Sequence, residues 1–431
     1  VQQNEDGTFD YTLVQRPAEP ARSKARRQQN DLRRKQRAAQ ATNDFVGKKN
    51  GLVILMSYSD KAMKHTNQEF DDMFNLANYS KNNHIGSLSD YFYDQSYGQL
   101  DVTFDVVGPY TTANKLSYYG SNDSDGNDKY PGDLVEEAVT AAHNDGVNFS
   151  KYDWNNDGYV DQIYIIYAGY AESYGAAANT IWPHEWNLTS TKYYNMGGHG
   201  PMTYDGVVID TYACSSELTG TSGTSMDGIG SAAHEFSHCI GLPDAYDTEG
   251  ENPGMGVWSL MDYGCYNGNG NVPSPYTAYE RMYSGWLEPV VLSEPTKVTD
   301  MKPITEGPYA YIIYNEANKN EYYILENHQH EHNSTQFAPW DYFSYGHGML
   351  VMHIDYDKKA WEDNTVNTVA SRQRMTYVPA NNVKKNIQYI SESEMAGATW
   401  PGTSKKTSLT NTTTPAAALY NANSDGKKYL N

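Results

Sequence analysis

The run Ala233-His234-Glu235-Phe236-Ser237-His238-Cys239-Ile240-Gly241-Leu242-Pro243-Asp244 leaves this chain few local conformations. Residues four apart on a helix lie one above the other on the same face. A helix over about residues 230–240, after the Gly/Ser/Thr-rich loop at 219–230, therefore aims the imidazoles of His234 and His238 at one point. Gly241 suits the end of that helix, because glycine enters the left-handed region without steric cost. The chain then turns back, and Asp244 falls where a carboxylate can join the two imidazoles. Two nitrogens and an oxygen, with a fourth position open, suit zinc. Glu235 stands beside the first histidine, where it can take a proton from a water, as metal-assisted hydrolysis at neutral pH requires. Two ordinary histidines on a polar helix face would give the shorter part of this pattern by chance. Gly241 and Asp244 lift it above coincidence.

A second segment, Trp258-Ser259-Leu260-Met261-Asp262-Tyr263-Gly264, follows after a loop. It resembles the methionine turn of the metzincin peptidases, whose Met forms an apolar floor beneath the metal, and Met261 takes that place here. Some metzincins carry a tyrosine at the position of Tyr263 that approaches the metal or the oxyanion, and a phenol can donate to developing charge. Taken together, the two segments resemble the immune inhibitor A family of secreted bacterial metallopeptidases. That family's pattern, HExxHxxGLPDxYD, stands here as His234-Glu235-Phe236-Ser237-His238-Cys239-Ile240-Gly241-Leu242-Pro243-Asp244-Ala245-Tyr246-Asp247. Weaker matches run through Ser89-Asp90-Tyr91-Phe92, Ser96-Tyr97-Gly98-Gln99 and Val106-Val107-Gly108-Pro109, and downstream through His347-Gly348-Met349-Leu350 and His353-Ile354-Asp355-Tyr356. The resemblance covers most of residues 50–420. It implies a secreted zinc endopeptidase, made as a zymogen and acting on a protein or peptide substrate, with a β-rich module after the catalytic domain. Many metzincins place a third histidine where this chain has Asp244, so Asp247 and a distant glutamate remain competitors for the third ligand.

The expected fold class is α+β. A metzincin-like domain, with a twisted mixed sheet and the active-site helix, is expected over residues 49–287. A mostly β module of sandwich or jelly-roll type is expected over residues 288–431. Buried strands are expected at 51–56 and 162–167, an alternating strand at 100–107, and a further strand at 206–212. Apolar stripes predict helices at 67–78, 88–97 and 132–144. Beyond the catalytic domain, short β-like runs stand at 310–314, 322–326, 348–355 and 386–390. Residues 1–48 read as the end of a pro-segment with a basic linker. Arg22-Ser23-Lys24-Ala25-Arg26-Arg27 and Leu32-Arg33-Arg34-Lys35-Gln36-Arg37 form either a solvated helix or a segment cut by an activating, trypsin-like protease. Residues 1–43 hold no cysteine, so a thiol cannot enforce latency from there; Asp6 or Asp10 can cap a metal instead.

Asp153-Trp154-Asn155-Asn156-Asp157-Gly158-Tyr159-Val160-Asp161 offers oxygen ligands at alternate positions. Asp153, Asn155, Asp157 and Asp161 would supply side chains and Tyr159 its carbonyl, with Gly158 permitting the sharp turn of a calcium loop. The bidentate Glu usual at the twelfth position is replaced by Tyr164, so the ion expected is structural. The competing reading is a loop of Asx turns without an ion.

The formal net charge of −21 argues against a nucleic-acid binder, which needs a basic face. No run approaches the ~20 apolar residues of a membrane span. The chain begins at Val1, not Met, and is read as a processed or trimmed product, so the lack of an apolar signal region carries no information on the compartment. Three cysteines are too few for a disulfide framework. Cys214 with Cys265 is one reading, and three buried thiols is the favoured one. His184 reads as a packed histidine. His328, His330 and His332 alternate beside Glu326 and Glu331, where a secondary metal patch is the less favoured reading. The 38 tyrosines suit rigid extracellular surfaces as well as core filling. Against the peptidase stands a non-catalytic extracellular protein that binds protein or glycan on a peptidase scaffold. A zinc hydrolase of non-peptide bonds is a third class.

Overall fold

The computed structural model describes residues 2–3, 9–10, 45–124, 126–329, 340–343 and 345–430. The basic segment, Asp6, the side chain of Asp10, and His330, Glu331 and His332 lie outside the described residues. The chain forms two compact units. The first comprises the described residues up to Tyr93, then Gln99–Gly241 and Gly268–Asn271. The second comprises Asp94–Gly98, Leu242–Asn267 and the described residues from Val272 onward.

The first unit is built on a mixed sheet. Its strands are β1 (Gly47–Ser57), β2 (Leu100–Thr111), β3 (Ile163–Tyr170), β4 (His184–Asn187) and, after a small hairpin of β5 (Met202–Tyr204) and β6 (Val207–Ile209), β7 (Thr211–Leu218). The sheet order is β2-β1-β3-β7-β4. The first four run parallel, and β4 closes the edge antiparallel to β7. Inner parallel strands are covered on both faces and so read as unbroken apolar runs. In agreement, residues 51–57 of β1 and nearly all of β3 are buried.

The helices follow the apolar stripes. In α1 (Asn67–Asn75), the Thr66 side chain accepts the Glu69 N–H while the Glu69 carboxylate takes the Thr66 N–H. Such a cap contributes about 1 kcal/mol. Helix α2 spans Leu88–Gln95. Helix α3 (Pro131–Asn144) starts on a proline whose missing N–H costs nothing there. It buries Leu134, Val135, Ala138, Val139 and Ala142 in the core that also holds Leu52, Ile54, Ile163 and Ile165. The alternate side chains of β2 and β3 meet an aromatic cluster: Phe74 lies 5.4 Å from Phe104 and 6.3 Å from Tyr164, ring centre to ring centre. Helix α4 (Ile229–Cys239) packs into this cluster through Phe236.

Residues 206–212 do not make the single strand that their apolar pattern predicts. The run is divided between β6 and β7, and β7 continues to Leu218, all of it buried. Strand β4 was not anticipated, because a four-residue edge strand reading His-Glu-Trp-Asn shows neither alternation nor a β-branched run.

The second unit has one six-stranded sheet, of β8 (Val290–Val291), β9 (Ala310–Tyr314), β10 (Glu321–His328), β11 (Gly348–Asp355), β12 (Met375–Tyr377) and β13 (Trp400–Pro401). Its order is β8-β9-β10-β11-β12, and β13 pairs the early part of β11 while β12 pairs the late part. Among the described residues of this unit no second sheet faces it. Residues 386–390, expected as a strand, instead form a 3-10 turn, Ile387–Tyr389, begun by the Asn386 side chain accepting the Gln388 N–H. Tyr323, Val351, Val378, Trp400 and Leu419 form a core on one face. Helix α5 (Ala278–Tyr283) is tied to β10 by the Ala278 N–H, which donates to the Glu326 carboxylate.

The end of β10 buries charge. His328 is gripped by Glu326 through Nε2 at 2.6 Å and by Asp341 through Nδ1 at 2.7 Å, with the Trp258 ring against it. Both nitrogens are engaged by carboxylates, so this histidine forms an ion-paired core group rather than the metal patch weighed from its spacing. Burial opposes the charged imidazole, but the Asp341 and Glu326 carboxylates outweigh it and push His328 up to about 10. A folded-state value above the unfolded one (~6.5) gives stability that is complete below about pH 6.5 and lost as pH rises toward 10. His328→Gln should destabilise the fold by about 3–5 kcal/mol at neutral pH, since it strands two buried carboxylates. Its melting temperature should also change less between pH 7 and 9.5 than that of the parent. Equal slopes in thermal scans over that window would place the titrating charge elsewhere.

Candidate metal centre

Helix α4 is buried along its whole length, including His234, Glu235 and His238. A helix without a solvent face must be held by contacts all round. Phe236 provides one set, with ring centres 5.4 Å from Phe92, 5.6 Å from Phe104 and 5.6 Å from Trp154. Gln162, just before β3, donates its side-chain amide to the Glu235 carbonyl at 3.1 Å. At the helix start, a Cβ on Gly228 would lie 2.2 Å from the carbonyl carbon of Gly270, so only glycine permits this approach of two backbones. Just before it, Asp227 accepts from the Tyr174 hydroxyl at 2.6 Å. Burial raises the Asp227 carboxyl to about 6, although hydrogen bonds from Tyr174, Ser231 and Gly228 pull the other way.

On this helix the rings of His234 and His238 stand 4.9 Å apart at 87°. Glu235 Oε2 lies 4.0 Å from His238 Nε2, too far for a hydrogen bond and close enough for one water to bridge. The helix ends at Cys239, the Gly241 N–H donates to the His238 carbonyl, and Gly241 takes φ +98°, in the left-handed region. Leu242 and Pro243 lead to Asp244. One donor atom from each of His234, His238 and Asp244 then lies within 4.8 Å of the others, all three residues buried. Among the described residues no other three His, Cys, Asp or Glu side chains converge in this way, and no distant glutamate joins them. Asp247, the nearer competitor, is committed to its own turn: Oδ1 accepts the Glu249 N–H at 2.9 Å and Oδ2 the Asn252 N–H at 3.0 Å. Two imidazoles and one carboxylate, all from buried residues, are a donor set that fits zinc.

The Met261 turn is built by short side-chain bonds. The Met261 N–H donates to Ser259 Oγ at 3.0 Å, and Asp262 accepts from the N–H groups of Tyr263 (2.8 Å) and Gly256 (2.6 Å). The Met261 carbonyl accepts the N–H of Ala245 at 2.7 Å, which joins this turn to the residue after Asp244. Tyr263 is buried with its ring 5.6 Å from Tyr266.

The segment bearing Asp153, Asn155, Asp157, Tyr159 and Asp161 is a loop of Asx turns. Asp153 accepts from Asp157 and Gly158, Asn155 from Asp157, Asp157 from Tyr159, and Asp161 from the Trp154 N–H. Gly158 has φ +87° at the sharp turn. Trp154, within the loop, is the residue that packs on Phe236. Cys214, Cys239 and Cys265 are all buried and none is in a disulfide, so the bridge considered between Cys214 and Cys265 is not formed. His184 is a core residue, bonded to the Trp182 carbonyl at 2.6 Å and the Tyr212 hydroxyl at 3.0 Å.

Two asparagines that the sequence reading passed over brace the third arm of the cluster. Asn364 bonds both the N–H and the carboxylate of Asp244. Asn367 donates to the Ala245 carbonyl at 2.8 Å. The one signal available for Asn364 was its place just after a short helical stretch, where asparagine commonly ends a helix; nothing local points to Asp244.

The profile described as "Immune inhibitor A peptidase M6, catalytic domain" matches residues 42–286. Immune inhibitor A from Bacillus thuringiensis subsp. alesti is 28% identical over 286 residues, covering 56% of this chain and 40% of that protein. The pre-pro-metalloprotease PrtV of Vibrio cholerae serotype O1 (strain M66-2) is 26% identical over 222 residues, covering 46% of this chain and 23% of that protein. The chain thus matches less than half the length of either relative. With this family profile spanning more than half of its residues, the chain belongs to the immune inhibitor A peptidase M6 family.

Proposed function

We propose that this chain is a secreted, zinc-dependent endopeptidase of metzincin-like fold, with residues 49–287 as catalytic domain and 288–431 as a β-rich module. The observation that carries the reading is the convergence of His234, His238 and Asp244 within 4.8 Å, beside Glu235. His234, His238 and Asp244 would hold the zinc, which would supply Lewis acidity toward a scissile carbonyl and a water. Glu235 takes the proton of the attacking water and returns it to the leaving amine nitrogen. Tyr263 donates its hydroxyl to the charge developing on the carbonyl oxygen, and Met261 floors the site.

The metzincin-like assignment is supported by the parallel strands with one antiparallel edge strand, the buried helix and the Met turn. Secreted as a zymogen, the chain would be activated by a protease acting on its basic N-terminal segment, residues 1–48. The relative named a pre-pro-metalloprotease supports that order of events. The loop holding Asp153, Asn155, Asp157, Tyr159 and Asp161 binds a structural calcium ion, which would stiffen the Trp154 contact to α4.

Glu235→Gln should keep about one zinc per chain and the parent's circular dichroism, yet lose roughly 100-fold or more of casein cleavage. Undiminished cleavage would remove Glu235 as the base, and a purified parent chain without stoichiometric zinc would favour a binding protein on a peptidase scaffold. For the calcium loop, adding calcium to the chelated chain should raise its melting temperature, and Asp157→Ala should abolish that rise. An unchanged melting temperature in the parent would leave the loop as a set of Asx turns alone.

A further inference from the structure

Asp244 lies beyond the helix that holds the two histidines, after a proline with no N–H to anchor it, so its carboxylate needs another means of orientation. Asn364 supplies one. Its Oδ1 accepts the Asp244 N–H at 2.7 Å, and its Nδ2 donates to Asp244 Oδ2 at 2.6 Å. A single planar amide thus fixes the backbone and the carboxylate rotation of the same residue. A primary amide fits this task because it carries an acceptor and a donor side by side.

Asn364 is itself tightly held. It follows helix α6 (Lys358–Glu362), whose N-cap Asp357 accepts the Ala360 N–H at 3.0 Å. Its N–H donates to the Trp361 carbonyl at 3.3 Å, and its carbonyl accepts the Thr248 hydroxyl at 2.9 Å. Its backbone sits at φ +52°, a region that asparagine enters more readily than other side-chain-bearing residues. Asn367, in the same turn, holds the next carbonyl, that of Ala245.

We propose that Asn364 is the positioning residue for the third metal ligand, holding Asp244 in the orientation that lets it act with His234 and His238. The inference rests on the reading above, in which Asp244 is a ligand. It accounts for the choice of ligand: Asp244 carries a rigid amide partner, whereas both oxygens of Asp247 serve backbone N–H groups of its own turn. Partners of this kind commonly contribute 10–100-fold to metal affinity (order of magnitude).

The test uses the full chain and two variants. Asn364→Asp is isosteric and sets a carboxylate against the Asp244 carboxylate. Asn364→Gly suits the positive φ and removes the amide, so it remains informative if the first variant folds poorly. Zinc affinity is measured by competition with a chromogenic chelator, and the site geometry is read from the visible absorption of the cobalt(II)-substituted chain. The expected result is a roughly 10–100-fold loss of zinc affinity in both variants, with an altered cobalt spectrum and parent-like circular dichroism. A merely structural brace would lower the melting temperature and leave the cobalt spectrum as it was. Parent-like affinity and cobalt spectrum in either folded variant overturn the proposal. Asp244→Asn separates this failure from a deeper one. Full zinc affinity in Asp244→Asn removes Asp244 as a ligand and the Asn364 role with it. Loss of zinc in Asp244→Asn, with zinc retained in both Asn364 variants, removes the Asn364 role alone.

Discussion

Burying a helix on every side while it carries two imidazoles and a carboxylate is unfavourable unless those groups share a partner. Helix α4 carries such a set of groups, and packing within the first unit holds it in place. Phe236 enters an aromatic cluster drawn from α1, α2, β2 and the Asx-turn loop, Gln162 braces the helix backbone, and Gly228 lets the helix start against the main chain of Gly268–Asn271.

The Asp244 arm is secured by a different kind of force. Around it the work is done by polar contacts between short side chains and backbone: Asn364 on Asp244, Asn367 on Ala245, Ser259 on Met261, and Asp262 on the two N–H groups that shape the Met turn. In a buried setting such bonds are stronger than in water, and expensive to leave unmade. The orientation of Asp244 is thereby fixed at atoms that hydrophobic packing could not discriminate.

These two kinds of support were not equally legible in the sequence. The inner strands β1 and β3 could be read because burial on both faces writes an unbroken apolar run, and α3 because its stripe recurs at helical spacing. His234, Glu235, His238 and the glycine turn were legible because their constraint is local, contained in one helix and its end. Strand β4 was not, since its partner β7 supplies the pairing and four mixed residues carry no period of their own. The division of residues 206–212 was hidden because the hairpin and the sheet strand are both apolar, so the break depends on which partner each half finds. Residues 386–390 misled for the opposite reason: their side chains suit a strand, but the Asn386 amide begins a turn. Asn364 was unreadable in principle, because the residue it serves lies far back along the chain and an isolated asparagine shows nothing of its partner.

The contact of Gly228 with Gly270 carries a consequence for how such a chain can change over time. The start of helix α4 rests on main chain against main chain, with no side chain in the gap. The entry to the helix is therefore set by peptide geometry rather than by the size of a side chain. Added bulk at Gly228 would meet the main chain of Gly270 and Asn271, so a change there has to be absorbed by a shift of backbone.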